Sequence, residues 1–286
     1  MTSQIKTMLL LALLSGIIIV LGGMIGGRTG VIMAFALALV MNVGSYWYSD
    51  KIVLSMYHAR ELAPDESPFL FDIVRRLSTN AGIPMPRICV IPEEAPNAFA
   101  TGRDPQHAVV AVTDGIMHLL SPQELEGVVA HEIGHIVNRD ILIQTIAGVM
   151  ASAIVTLANI FQFSAIFGNR DSENGGSGFG AIILALLAPL AAGLIQMAIS
   201  RSREYLADET GARLCNQPLA LAGALYKLGA ASGRVPLNSG NPSTAEMFIV
   251  TPLFSRDSSI AKLFSTHPPI EERIERLRQM AASGNY

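Results

Sequence analysis

Residues 8–25 and 30–48 carry no charged side chain, and only Gly26, Gly27, Arg28 and Thr29 separate them. Each run is long enough to cross ~30 Å of hydrocarbon as a helix, and so short a link makes the pair an antiparallel hairpin. A cleaved signal peptide competes for the first run, but no A-x-A-like cleavage site precedes a second apolar stretch this close. Tyr46, Trp47 and Tyr48 end the second run as an aromatic belt suited to the lipid–water boundary. The pattern recurs later: residues 141–167 and 179–200 are again uncharged, around a 168–178 loop rich in Asn, Ser and Gly. Buried helices of a soluble protein are the bland alternative. Four such runs in 286 residues, with 15% charged and 50% hydrophobic residues, disfavour it.

These runs predict four transmembrane helices in two hairpins and divide the chain. Residues 1–49 form the first hairpin, 50–140 a cytoplasmic segment, 141–200 the second hairpin and 201–286 a second cytoplasmic segment. Orientation follows from the basic residues near the spans. Lys6, Lys51, Arg60, Arg139, Arg201 and Arg203 share one side, whereas Arg28 and Arg170 lie on the other. The richer side is the cytoplasm of a bacterial-type inner membrane. A net charge of −3 excludes a basic nucleic-acid-binding surface. Cys89 and Cys215 are too few and too far apart for a disulfide scaffold or a Cys-rich zinc site.

Between the spans the chain reads as α+β. Ser67-Pro68 opens a helix with Phe69, Leu70, Ile73, Val74 and Leu77 on one face, stopped by Gly82 and Pro84. Residues 87–91 and 107–113 are short Val- and Ile-rich runs expected as strands. Residues 97–102 are a weaker strand candidate at a sheet edge.

Ser121-Pro122-Gln123-Glu124 starts another helix: Ser as N-cap, Pro at the first helical position and Glu closing a capping box. That helix carries His131-Glu132-Ile133-Gly134-His135. Two histidines four apart stand ~40° apart on one helix face, a spacing that lets both imidazoles converge on one zinc ion. Glu132 is placed to take a proton from water rather than to bind metal. With six histidines in the chain, about 0.006 chance matches to H-E-x-x-H are expected.

A catalytic zinc needs a third protein ligand and an open position. Glu204 is the best candidate, because it follows the fourth span directly while His135 precedes the third by six residues. A hairpin between them returns the chain to the same membrane face. Asp208 shares the helix face of Glu204; it either orients a ligand histidine or pairs with Arg201 or Arg203. His58, His107 and His118 lack partner motifs. His267 opens a helix ahead of Arg273, and could donate hydrogen bonds to a developing oxyanion.

In motif order and spacing the chain resembles the HtpX family of membrane zinc metalloproteases, relatives of the CAAX prenyl endopeptidases. The resemblance rests on two N-terminal spans, His131-Glu132-x-x-His135 ahead of a second hairpin, Glu204-Tyr205-x-Ala207-Asp208 after it, and His267-Pro268 near the C-terminus. It implies a gluzincin-type, mostly helical α+β membrane protein with a small sheet. It also implies one zinc ion per subunit held by His131, His135 and Glu204, with Glu132 as base and His267 and Arg273 as transition-state stabilisers. Asn97, Ala98 and Phe99 become the edge strand that pairs with an extended substrate. The implied substrates are misfolded membrane proteins, met at the bilayer. A zinc-stabilised scaffold without turnover and a prenyl-protein-type endopeptidase are the alternatives. The retained Glu132 argues against the first, and the presence of only four spans against the second.

Overall fold

The computed structural model describes residues 3–147, 149, 201–232, 234–239, 244, 247–250 and 268–284, with backbone alone for part of the N-terminal helix. Helix α1 (Ser3–Met56) is interrupted at Gly27, whose φ of 56° and ψ of −139° belong to a region open only to glycine. There the chain turns back. The Asn42 side chain donates to Ser15 Oγ at 2.7 Å across 27 residues, which an unbroken helix would hold ~40 Å apart. Ala34 and Ala38 are buried, whereas Ile32, Met33, Leu37, Val40 and Val43 are exposed. Small residues at i and i+4 allow close helix approach, and the large apolar surface around them suits lipid. Residues 27–44 are apolar and long enough to cross a membrane. The runs expected as the third and fourth spans, 141–167 and 179–200, lie outside the described residues except for 141–147 and 149.

Past α1 the chain forms strand β1 (Arg60–Glu61), helix α2 (Pro68–Ala81) and strand β2 (Arg87–Ile91). Strand β3 (Ala98–Thr101), strand β4 (Val109–Thr113) and helices α3 (Asp114–Leu119) and α4 (Pro122–Val137) follow. From residue 201 come α5 (Arg201–Cys215), α6 (Pro218–Ser232) and α7 (Ile270–Ser283). The four strands make one mixed sheet in the order β1-β2-β4-β3, with β2 parallel to β4 and the other pairs antiparallel. The weakest sequence candidate is therefore an edge strand, β3. His107 falls in a 3-10 turn ahead of β4 rather than in the strand, because the Asp104 carboxylate caps that turn by accepting from the His107 N–H.

Both sheet faces are covered, which explains why β3 and β4 are buried at every position. One face packs on α2 and α4 through Leu70, Val74, Val110, Val112 and Val128, and α6 joins the same core from the side of α4 through Leu225. The other receives the end of α1 and a returning segment, through Val53, Tyr57, Phe99, Val109 and Phe248. On α2 the expected face is buried except Phe69, which is exposed.

Helix α4 is the centre of the fold. Its capping box is complete: Ser121 Oγ accepts from the Glu124 N–H, and the Glu124 carboxylate accepts from the Ser121 N–H. Residues 125–136 are buried all round, polar side chains included. Helix α5 lies against it at backbone contact. A Cβ on Gly211 would sit 2.7 Å from the His131 nitrogen, and one on Gly134 would sit 3.0 Å from the Ala207 carbonyl oxygen. Glycine is required there by space, not by conformation.

Gly211→Ala should force α4 and α5 apart and cost ~1–3 kcal/mol, read as a lower thermal unfolding midpoint of the purified chain. Gly44→Ala, where nothing lies within 4 Å of the new methyl, should leave the midpoint unchanged or slightly raised. An unchanged midpoint in Gly211→Ala would refute the close-contact account.

Candidate metal centre

At the α4–α5 contact, one ligand atom each from His131, His135 and Glu204 lies within 4.8 Å of the others, all three side chains buried. The two Nε2 atoms are 3.2 Å apart, and the Glu204 carboxylate is 3.7 Å from His131 Nε2 and 3.5 Å from His135 Nε2. A tetrahedral ion with bonds of ~2.0–2.1 Å needs ligand atoms separated by about 3.3 Å. The set therefore fits zinc in donor type and in spacing. The glycine-lined contact produces this arrangement, since Gly211 packs on the His131 backbone one helical turn from Asp208 and two from Glu204.

Both histidines are held from behind. Asp208 Oδ1 lies 2.9 Å from His131 Nδ1. Burial alone would raise the Asp208 carboxyl, but the Arg273 guanidinium outweighs it and holds the group below the ordinary carboxylate range. An anionic Asp208 accepts the Nδ1 proton and turns Nε2 of His131 inward. Asp140 does the same for His135: its two oxygens lie 3.1 and 3.2 Å from His135 Nδ1, and it is 1% exposed.

Sequence reasoning missed Asp140, whose position depends on how α4 ends. Arg139 takes a positive φ of 57°, the Arg139 N–H donates to the Ile136 carbonyl and the Asp140 N–H to the His135 carbonyl. This is a Schellman cap built on arginine instead of glycine, and it folds Asp140 back beneath His135. Asn138-Arg139-Asp140 directly after the motif was the available signal, but nothing in the residue types marks a left-handed arginine.

Glu132 is 1% exposed, and burial pushes its carboxyl up to about 7 against the opposing pull of His135 and of an Ala100 N–H that hydrogen-bonds to it. One of its oxygens, Oε1, has no hydrogen-bond partner among the described residues. A base with an affinity for protons near neutrality, facing the histidine pair, can both accept and return a proton.

Arg273 stands elsewhere than expected for an oxyanion donor. It is fully enclosed, its Nε and Nη2 donate to the two Asp208 oxygens at 2.8 and 2.7 Å, and its Nη1 donates to the Ile249 carbonyl at 2.9 Å. With both edges of the guanidinium committed, it braces Asp208 and sits 3.7 Å from Glu204. The ion pair considered for Asp208 is thus formed, with Arg273 in place of Arg201 or Arg203. His267 lies outside the described residues.

The edge strand is also shifted from expectation. The Thr113 N–H donates to the Asn97 carbonyl, so by alternation Phe99 and Thr101 face β4 while Ala98 and Ala100 point outward. The Ala98 carbonyl is already taken by the Ile249 N–H, and the Asn97 amide donates to the Val250 carbonyl at 2.6 Å. Phe99 packs edge-on against Phe248 and beside Tyr57. Ala100 is the other residue whose main chain faces outward, and its N–H bonds Glu132.

The sequence matches the profile of peptidase family M48 over residues 64–281. The chain belongs to peptidase family M48. Three curated relatives, each described as "Protease HtpX homolog", align over nearly their whole length. The Syntrophobacter fumaroxidans protein is 55% identical over 98% of this chain and 100% of its own. The Pyrococcus furiosus protein is 56% identical over 97% and 96%, and the Persephonella marina protein is 56% identical over 97% and 97%. Among solved structures, the crystal structure of S. mikatae Ste24p covers 96% of this chain and 65% of that one, with a TM-score of 0.49 and 22% identity. As an M48 peptidase with this donor set, the protein is a zinc-dependent membrane metalloprotease.

Removing an outer carboxylate should loosen the ion without unmaking the fold. Asp140→Ala and Asp208→Ala are each expected to weaken zinc binding by roughly 10–100-fold, measured by competition with a chromogenic chelator. Zinc retention equal to wild type in Asp140→Ala would refute its orienting contact with His135.

Proposed function

We propose that this M48 peptidase is an endopeptidase of the cytoplasmic face of the inner membrane, hydrolysing internal peptide bonds of misfolded or damaged membrane proteins. The observation that carries the reading is the buried triad of His131, His135 and Glu204 with Glu132 beside it.

His131, His135 and Glu204 would hold one zinc ion, and the chemistry it would supply when bound is Lewis-acid polarisation of the scissile carbonyl and activation of a water. Glu132 accepts the proton from the attacking water and returns it to the leaving amine. Asp208 and Asp140 keep the Nδ1 protons of the two histidines and so present their Nε2 atoms to the ion. Arg273 holds Asp208 in its anionic form. His267, on the family pattern alone, is the donor to the oxyanion, a contact typically worth ~3 kcal/mol. The extended substrate lies along β3, where the Ala100 carbonyl faces outward while its N–H bonds Glu132; main-chain pairing demands little of sequence, which suits unfolded clients.

The apolar hairpin within α1, together with the uncharged runs at 141–167 and 179–200, supports four spans with the catalytic segments on the lysine- and arginine-rich side. Substrates then reach the cleft within about 10 Å of the lipid surface, by the six-residue offset between His135 and the third run.

Glu132→Gln should retain zinc and lose at least ~100-fold in casein cleavage, assayed on detergent-purified protein beside wild type. Zinc with no turnover in the wild type would instead favour the scaffold reading. Protease added outside intact spheroplasts should cut within 168–178 and nowhere in 51–140; cleavage in the latter region would reverse the topology.

A further inference from the structure

We propose that the junction between α1 and the catalytic body holds a binding site for the headgroup of an anionic phospholipid. The proposal rests on the reading that α1 crosses a bilayer, and it adds a ligand class to that reading. A cavity of about 560 Å³ opens where the apolar helix meets the sheet, a size typical of small-ligand sites. Trp47 and Tyr48 form its α1 wall, and both are exposed on the flank that continues into Val40 and Val43. Facing them from the catalytic body are Met85, Arg87, Arg103 and His107. Lys51 and Asp50 complete the rim one turn past the aromatic residues.

The charges of this lining are unequal. Lys51, Arg87 and Arg103 contribute three positive charges, against one carboxylate, Asp50. Asp50 is engaged by Arg87 at 3.2 Å, and Glu61 takes the other edge of Arg87 at 3.4 Å. Asp104 lies 3.6 Å from Arg103, but it is held more closely by His107 at 2.6 Å. Lys51 stands 5.5 Å over the Tyr48 ring and has no carboxylate partner among the described residues. The Arg103 guanidinium is stacked 4.6 Å over the Trp47 ring, which fixes its plane and leaves edge N–H groups to donate. A planar cation and a mobile ammonium beside an indole, at the depth where acyl chains give way to water, present what a phosphodiester on a lipid requires. A free phosphate ester shares the anionic chemistry; the apolar flank of α1 favours the lipid.

The full chain, purified in detergent and offered equal amounts of phosphatidylglycerol and phosphatidylcholine, is tested by native mass spectrometry. Wild type should retain phosphatidylglycerol over phosphatidylcholine by roughly tenfold or more. Lys51→Gln with Arg103→Gln should abolish the preference, and Trp47→Leu should reduce it although no charge changes, which a diffuse surface attraction would not do. Zinc content and unfolding midpoint, compared with wild type, report that each variant is folded. Millimolar glycerol 3-phosphate should not displace the lipid; displacement would assign the pocket to a soluble phosphate ester and overturn the lipid assignment. Equal retention of both lipids by wild type, or a preference untouched in all variants, would also overturn it. Alkaline carbonate extraction of native membranes separates the two readings: release of the chain sinks the membrane-spanning reading itself, whereas retention without lipid preference sinks only the site.

Discussion

Four carboxylates and two guanidiniums are packed into the centre of the catalytic body, together with two imidazoles. Asp140, Asp208, Glu132 and Glu204 are buried, as is Arg273, and Arg203 is largely enclosed beside Asp140 and Glu204. Carboxylates outnumber guanidiniums in this region of low dielectric, where a buried charge without a counter-charge is costly. A divalent cation held by His131, His135 and Glu204 would add positive charge where these carboxylates converge, and would thus serve the packing of α4 against α5 as well as the chemistry. The two outer carboxylates are heavily bonded: Asp140 meets His135, and Asp208 meets both His131 and Arg273.

The backbone geometry serves the same end. Gly134 and Gly211 let α4 and α5 touch main chain to main chain, and only at that distance can a glutamate from one helix share an ion with histidines from the other. The left-handed Arg139 closes α4 so that Asp140 returns under His135. Arg273 then joins three distant parts of the chain, Asp208 on α5, Ile249 in the returning segment and its own helix α7. That segment in turn occupies the outer edge of β3 at Ala98 and meets Tyr57 at the end of α1 through Phe248. Edge strand, metal centre and membrane helix are consequently in contact through a handful of side chains.

How much of this could be read beforehand differs by residue. His131, Glu132 and His135 are local: a helical spacing and an N-terminal capping box imply their shared face, and the capping box formed with both of its hydrogen bonds. Glu204 was reachable by a topological argument, since the ends of a hairpin return to one membrane face. The reach of that argument stops at proximity. It left Asp208 undecided between a histidine and an arginine, and the structure has it bonded to both. Arg273 looked like a free cation near a helix start, because a sequence does not reveal that a charged side chain is fully enclosed. Asn97, Ala98 and Phe99 were taken together as an edge strand; register decides which main-chain groups face outward, those of Ala98, whose carbonyl meets Ile249, and of Ala100, whose N–H meets Glu132.

Local chemistry, written in residue order, determined the apolar hairpin, the helix starts, the short strands and the two-histidine motif, since each depends on neighbours within a few positions along the chain. The tertiary structure alone decided which carboxylate stands behind which histidine, which arginine is spent on bracing, and where the sheet edge is already taken. Those outcomes depend on contacts between segments more than sixty residues apart and on a backbone dihedral at Arg139 that its side chain does not favour, so no local pattern could have carried them.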